Sequence, residues 1–137
     1  GDFAIEAEIR VDGLAPNVCN QSFGLAAGSE ASGQFFGGGV IYACGSTSPA
    51  ARITDVSDWT NGYDQDRQLA RGAVNPGKDW RHYRFEVRGD EFRLLVDGKE
   101  IVTATESSLG DGFRSVKGGF WTQGVRLSVR NLKIFAL

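Results

Sequence analysis

The stretch Phe85–Val102, FEVRGDEFRLLVDGKEIV, decides how this chain folds. Phe85 and Val87, with Tyr83 just upstream, alternate with charged neighbours and so define one face of a strand, because side chains two apart on an extended chain point the same way. Phe92, Leu94 and Val96 repeat the pattern after a gap of tight-hairpin length. That gap holds Arg88-Gly89-Asp90, a tripeptide that some cell-surface receptors read. Here it lies where two amphipathic strands must reverse, and a glycine beside a polar residue is what a reversal requires, so we read it as a turn. Val96-Asp97-Gly98-Lys99 makes a second reversal, since Asp-Gly accepts the positive φ angles of a type I′ turn, and EIVTATE returns as a third strand.

Outward from this block the same period recurs. In DFAIEAEIRV, Phe3, Ile5, Ala7, Ile9 and Val11 face one way and Glu6, Glu8 and Arg10 the other. SFGLAAG (22–28), GGVIYACG (38–45) and ARIT are short, apolar runs between turn residues, as strands are. From Asp55 to Asn75 no period holds, and we expect a long excursion with a short strand near Arg67–Arg71. After the glycine-rich loop 110–119 come GFW and the alternating VRLSVRNLKIFAL. No segment keeps a helical period over three turns, so the chain is expected to be all-β, a single domain over residues 1–137 folded as an antiparallel two-sheet sandwich.

Composition narrows the function. Fifteen basic and seventeen acidic residues give a net charge of -2 with no basic block, which argues against nucleic acid as partner. No apolar run approaches the roughly 20 residues of a membrane span, and no leader precedes Gly1, so the chain reads as mature or trimmed, without membrane insertion. Cys19 and Cys44 lack Cys-x-x-Cys spacing, which points to a disulfide, against the alternative of two separate buried thiols. With the absence of Met and the abundance of Gly and Ser, this favours an extracellular or cell-surface location.

GDFAIEAEIR, FGLAAG, DWRHYRFEVRGDEFRLLVDGKEIVTATESSL and VRLSVRNLKIFAL, in that order, resemble the concanavalin A-like jelly-roll domains of the laminin-G-like and 3-keto-disaccharide-hydrolase-like groups of secreted bacterial proteins. The resemblance covers about two-thirds of the chain and implies a jelly-roll sandwich. Such domains carry a further strand ahead of the segment matching GDFAIEAEIR, so the resemblance implies either a missing N-terminal strand or an open sheet edge. Residues 45–76 match nothing in the family pattern, and a ligand site is expected there. Relatives include carbohydrate-binding modules, lectins, adhesins and glycosidases, so the fold alone does not fix the activity.

A glycosidase needs two carboxylates about 5–10 Å apart over a cleft. Glu6 and Glu8 share a strand face, yet the Glu-x-Asp-x-x-Glu signature of the family's glucanases is absent and arginines surround them, so a salt-bridged surface is expected and no catalytic residue is assigned. The single His82 has no nucleophile-elbow motif to serve. Sugar binding needs less: exposed aromatic rings and a few hydrogen-bonding groups. DVSDWTNGYDQDRQ offers Trp59 and Tyr63 as platforms, with Asn61, Asp64, Arg67 and Gln68 for hydroxyls, and Trp121 in GGFWTQG is a second platform. The alternative for these rings is packing, Trp59 and Tyr63 under their own loop and Trp121 in the core. Asp58, Asp64 and Asp66, with Asp55 and Asn61 near them, are oxygen ligands of the kind calcium takes, without EF-hand spacing; no other cofactor is expected. The sequence therefore points to a secreted, non-catalytic, lectin-like module with carbohydrate or glycoprotein as partner. The alternative is a structural domain of an adhesin, surface layer or filament, completed by strand contacts with other copies or neighbouring domains.

Overall fold

The computed structural model describes residues 2–16, 19, 21–29, 33–43, 48–56, 67–106 and 117–137. Among these, every regular element is a strand: β1 (Phe3–Leu14), β2 (Gln21–Ser29), β3 (Gln34–Tyr42), β4 (Ala50–Asp55), β5 (Arg67–Ala73), β6 (Arg81–Arg88), β7 (Glu91–Val96), β8 (Lys99–Thr105), β9 (Lys117–Gln123) and β10 (Val125–Ala136). They form two five-stranded antiparallel sheets packed as a sandwich, the first in the order β10-β1-β6-β7-β8 and the second β5-β4-β3-β2-β9.

The first sheet is built on the β6-β7-β8 meander that the alternation predicts. Gly89 takes φ 59° at the first reversal, and Asp97 and Gly98 take 51° and 80° at the second, both positive as a type I′ turn requires. The Gly89 amide donates to Asp2 Oδ1 (2.8 Å), which ties the Arg88-Gly89-Asp90 turn to the chain start. Asp97 anchors the other turn: its Oδ1 accepts from the His82 amide (2.9 Å) and its Oδ2 from Arg81 (2.8 Å). On the inward face, Tyr83, Phe85, Val87, Phe92 and Leu94 are fully buried, with Ile5 and Ile9 from β1. Phe92 stacks on both Phe85 (5.7 Å) and Phe36 of the second sheet (4.8 Å), and Phe23 meets Tyr83 edge-on (5.6 Å), so aromatic contacts join the sheets.

On the outward face of the first sheet the charges are matched. Glu6 accepts from Arg84 (3.1 Å) and lies 3.3 Å from His82, Glu8 accepts from Arg130 (2.8 Å) and Asn131 (2.6 Å), and Glu86 binds Arg84 (2.8 Å). Trp80 lies between two guanidinium groups, Arg130 at 3.9 Å and Arg10 at 5.0 Å, which puts it on the outer surface at the rim of the sheet.

These contacts shift titrations. The Arg130 and Asn131 hydrogen bonds hold the Glu8 carboxyl below 4.5, and Ser128 and Arg10 hold Asp12 below 3.8. Burial pushes Glu86 up, but Arg84 and Arg88 outweigh it, and the His82 amide lowers Asp97. Each folded-state value lies below the unfolded one, so the stability these groups add is complete above 4.5 and is lost as pH falls through the folded values. The thermal midpoint is therefore expected to stay flat from neutrality down to about 4.5 and to fall below it; a midpoint rising on acidification would contradict the pairing.

β1 lies inside its sheet, flanked by β10 and β6, and the free edges are β10 and β8. β9 and β10 are edge strands on the same side of the sandwich, so Phe120, Leu132 and Ile134 keep 42–46% exposure although they continue the apolar alternation. The β10 edge is bulged opposite Glu6–Glu8, with Asn131 at φ 56°, and carries Arg126, Arg130 and Lys133. A bulge and a row of like charges both deter stray strand addition.

Candidate functional site: a glycine-floored sheet face

Period two on β2 and β3 sends Phe23, Leu25 and Ala27, and Phe36, Gly38 and Val40, into the core. The opposite face is left with almost nothing: Ser22, Gly24, Ala26 and Gly28 on β2, and Gly37 and Gly39 between Phe35 and Ile41 on β3. Register extends this face in two rows across all five strands. One reads Trp121, Gly24, Gly39, Arg52, Arg71, and the next Gly119, Ala26, Gly37, Thr54, Gln68. Four strand spacings of roughly 4.8 Å make each row about 19 Å long.

Trp121 covers one end of this floor. A side chain at Gly37 would lie 2.7 Å from Trp121 Cζ3, and one at Gly24 would also strike the indole, so the ring rests where the glycines leave space. Trp121 Nε1 donates to Ser22 Oγ (3.0 Å), which fixes the ring's orientation. The other end is polar. Arg52 and Thr54 are buried, 6% and 0% exposed, while Gln68 and Arg71 on edge strand β5 are exposed. Among the described residues the Thr54 hydroxyl has no hydrogen-bond partner. A buried hydroxyl left so is uncommon. An aromatic ring at one end, a side-chain-free floor and hydroxyl, amide and guanidinium groups at the other are what a saccharide needs: a ring to stack on and donors and acceptors for its hydroxyls.

Of the residues singled out from the sequence, Trp121 and Gln68 lie on this face, at opposite ends. Arg67 points elsewhere: it binds Asp55 (3.0 Å) and Glu106, an ion pair that links the second sheet to the end of β8. Trp59, Asn61, Tyr63 and Asp64, the calcium set Asp58, Asp64 and Asp66, and Cys44 of the expected Cys19–Cys44 bridge lie outside the described residues. Asp55, grouped with the calcium ligands by sequence, accepts from Arg67 (3.0 Å). Sequence reasoning missed Gly24, Gly37, Gly39, Arg52, Thr54 and Arg71. The available signal was the run Gly37-Gly38-Gly39 inside an apolar segment, which marks close backbone approach as readily as a turn.

The architecture is an all-β sandwich of two antiparallel sheets. Among solved structures, the carbohydrate-binding module CBM66 from Bacillus subtilis matches with TM-score 0.67 at 14% identity, over 97% of this chain and 74% of that one. Sheep galectin-11, solved with glycerol, matches at 0.54 and 14%, over 98% and 90%. An alginate lyase from Klebsiella pneumoniae matches at 0.57 and 13%, over 98% and 60%. No protein-family model matches the chain, and no curated protein matches it in sequence.

Proposed function

We propose that this chain is a secreted, non-catalytic carbohydrate-binding module of lectin-like type, and that glycan lies along the outward face of the second sheet. The observation that carries the proposal is the Trp121 ring laid on a floor of Gly24 and Gly37, in line with a buried hydroxyl and two arginines. Fold likeness to carbohydrate-binding modules and a galectin supports it. Secretion, the Cys19–Cys44 bridge and calcium on Asp58, Asp64 and Asp66 belong to the same proposal and rest on the sequence. Glu6 and Glu8, the one carboxylate pair weighed for glycosidase chemistry, are both held in ion pairs, which favours the non-catalytic reading.

Trp121→Ala is expected to weaken retention on glycan about 30-fold, the effect of truncating one hot spot worth about 2 kcal/mol, with the far-ultraviolet spectrum unchanged. Affinity electrophoresis on a panel of polysaccharides measures this; a wild-type chain retained by none of them would sink the proposal. For assembly through a sheet edge, the alternative raised by the sequence, the relevant strand is β10, whose bulge and basic row disfavour pairing between copies. The solution mass recorded on the same samples tests that point, since a dimer built on β10 would reverse the preference.

A further inference from the structure

One side of the sandwich is closed and the other is open. On the closed side β5 lies against β8: a Cβ at Gly72 would come 2.9 Å from the Ile101 carbonyl oxygen, and Arg67 joins Asp55 to Glu106. On the open side lie the edge strands β9 and β10. Among the described residues, the large apolar side chains that stay exposed are Leu14, Phe120, Leu132, Ile134 and Leu137. All of them belong to β9, to β10 and the residue after it, or to the end of β1 that pairs with β10. Apolar side chains gathered on one side of a domain mark a contact surface, which scattered ones do not. Charge is the second feature of this side. Arg126, Arg130 and Lys133 of β10 face outward, alternating with side chains that turn toward the core. Glu8 binds Arg130, but Arg126 donates to the Asp12 carbonyl (3.5 Å), and Lys133 has no hydrogen-bond or ion-pair partner among the described residues.

β1 shows what suits such a strand. It covers the other flank of β10 with Ile5 and Ile9 turned inward and with Glu6 and Glu8 outward, opposite Lys133 and Arg130. We infer that the open flank of β10 takes an extended peptide segment of a partner protein in which acidic and apolar residues alternate. Its apolar side chains would cover Phe120, Leu132 and Ile134, and its carboxylates would meet Arg126 and Lys133. Opposite charge supplies the selectivity: a second copy of β10 would set the same cations against one another, whereas alternate Glu residues complement them. The bulge at Asn131 interrupts the ladder, so backbone pairing is confined to short runs on either side of it and side chains supply most of the hold. An anionic membrane surface also offers negative charge and apolar contact. Its hydrocarbon has no groups to pair with the free N–H and C=O groups of two edge strands, which favours peptide. The surface is separate from the glycine-floored face, since Phe120 and Trp121 point to opposite sides of β9.

Fluorescence anisotropy with labelled heptapeptides tests it, the peptides alternating Val with Glu, Val with Lys, or Ser with Glu. Wild type is expected to bind the Val-Glu peptide about tenfold more tightly than either of the others, with an advantage over Val-Lys that shrinks as salt rises. Lys133→Glu should bring the Val-Glu and Val-Lys affinities together. Leu132→Ser should weaken Val-Glu binding about tenfold. Both side chains are exposed, so the far-ultraviolet spectrum should stay unchanged. Equal affinity for Val-Glu and Val-Lys, no Val-Glu binding at millimolar peptide, or a Val-Glu affinity untouched by either substitution overturns the inference. Retention on vesicles of phosphatidylserine and phosphatidylcholine without peptide binding also overturns it and assigns the surface to lipid. A dimer in solution that Leu132→Ser dissociates overturns it too and assigns the surface to a second copy. None of these outcomes touches the glycan reading, which Trp121→Ala tests.

Discussion

Replacing Phe85 by alanine is expected to lower the folding stability by about 4 kcal/mol, within the range for large-to-small changes of buried aromatics. Phe85 is 0% exposed and packs at 5.7 Å against Phe92, which itself stacks on Phe36 across the sandwich. Opposite it lies Gly38, where an added Cβ would come 2.9 Å from the Phe85 ring. The ring therefore fills space that the facing strand has no side chain to refill, and the void would persist. Against a total of about 5–15 kcal/mol for an ordinary domain, such a loss moves the urea midpoint well within reach of equilibrium unfolding. A loss below about 1 kcal/mol would mean that Phe85 is not the centre of this core.

Gly39→Ala is expected to destabilise by about 3 kcal/mol although it adds only a methyl group and removes no contact. Its Cβ would lie against the Phe23 carbonyl oxygen, 2.6 Å from Gly24 Cα and 2.9 Å from the Phe23 carbonyl carbon. These are backbone atoms of β2, held by pairing on both sides with β3 and β9, so relief requires the strands to separate. Chemical denaturation should show a lower midpoint with the same slope, and the variant should also lose glycan retention because its methyl group stands on the floor. A stability change under about 0.5 kcal/mol would show that β2 and β3 lie farther apart than described.

Much of the fold was legible because alternation and turn chemistry are local. Phe85, Val87, Phe92 and Leu94 announce their face without reference to the rest of the chain, and Asp97-Gly98 announces its turn. β3 was less so: expected from Gly38, it begins at Gln34, because a glycine run reads as punctuation when its reason is contact with a strand remote in sequence. The site was legible only in pieces. GGFWTQG does not say whether Phe120 or Trp121 faces inward, and packing in the core was the alternative for the tryptophan. Pairing with β2 sets Phe120 opposite Leu25 and sends Trp121 outward, a register that no local pattern encodes. The line from Trp121 to Arg71 likewise exists only once five strands are in order.

The placement of β1 between β6 and β10 bears on the order in which the first sheet assembles. β1 covers Phe3–Leu14, yet its partner β10 covers Val125–Ala136, separated from it by every other strand of the chain. One flank of β1 finds its complement only across a loop of roughly a hundred residues, whose closure costs entropy that a short hairpin does not. The β6-β7-β8 meander can zip locally while the β1–β10 seam waits on a long loop closure, which makes that seam the slow step of assembly.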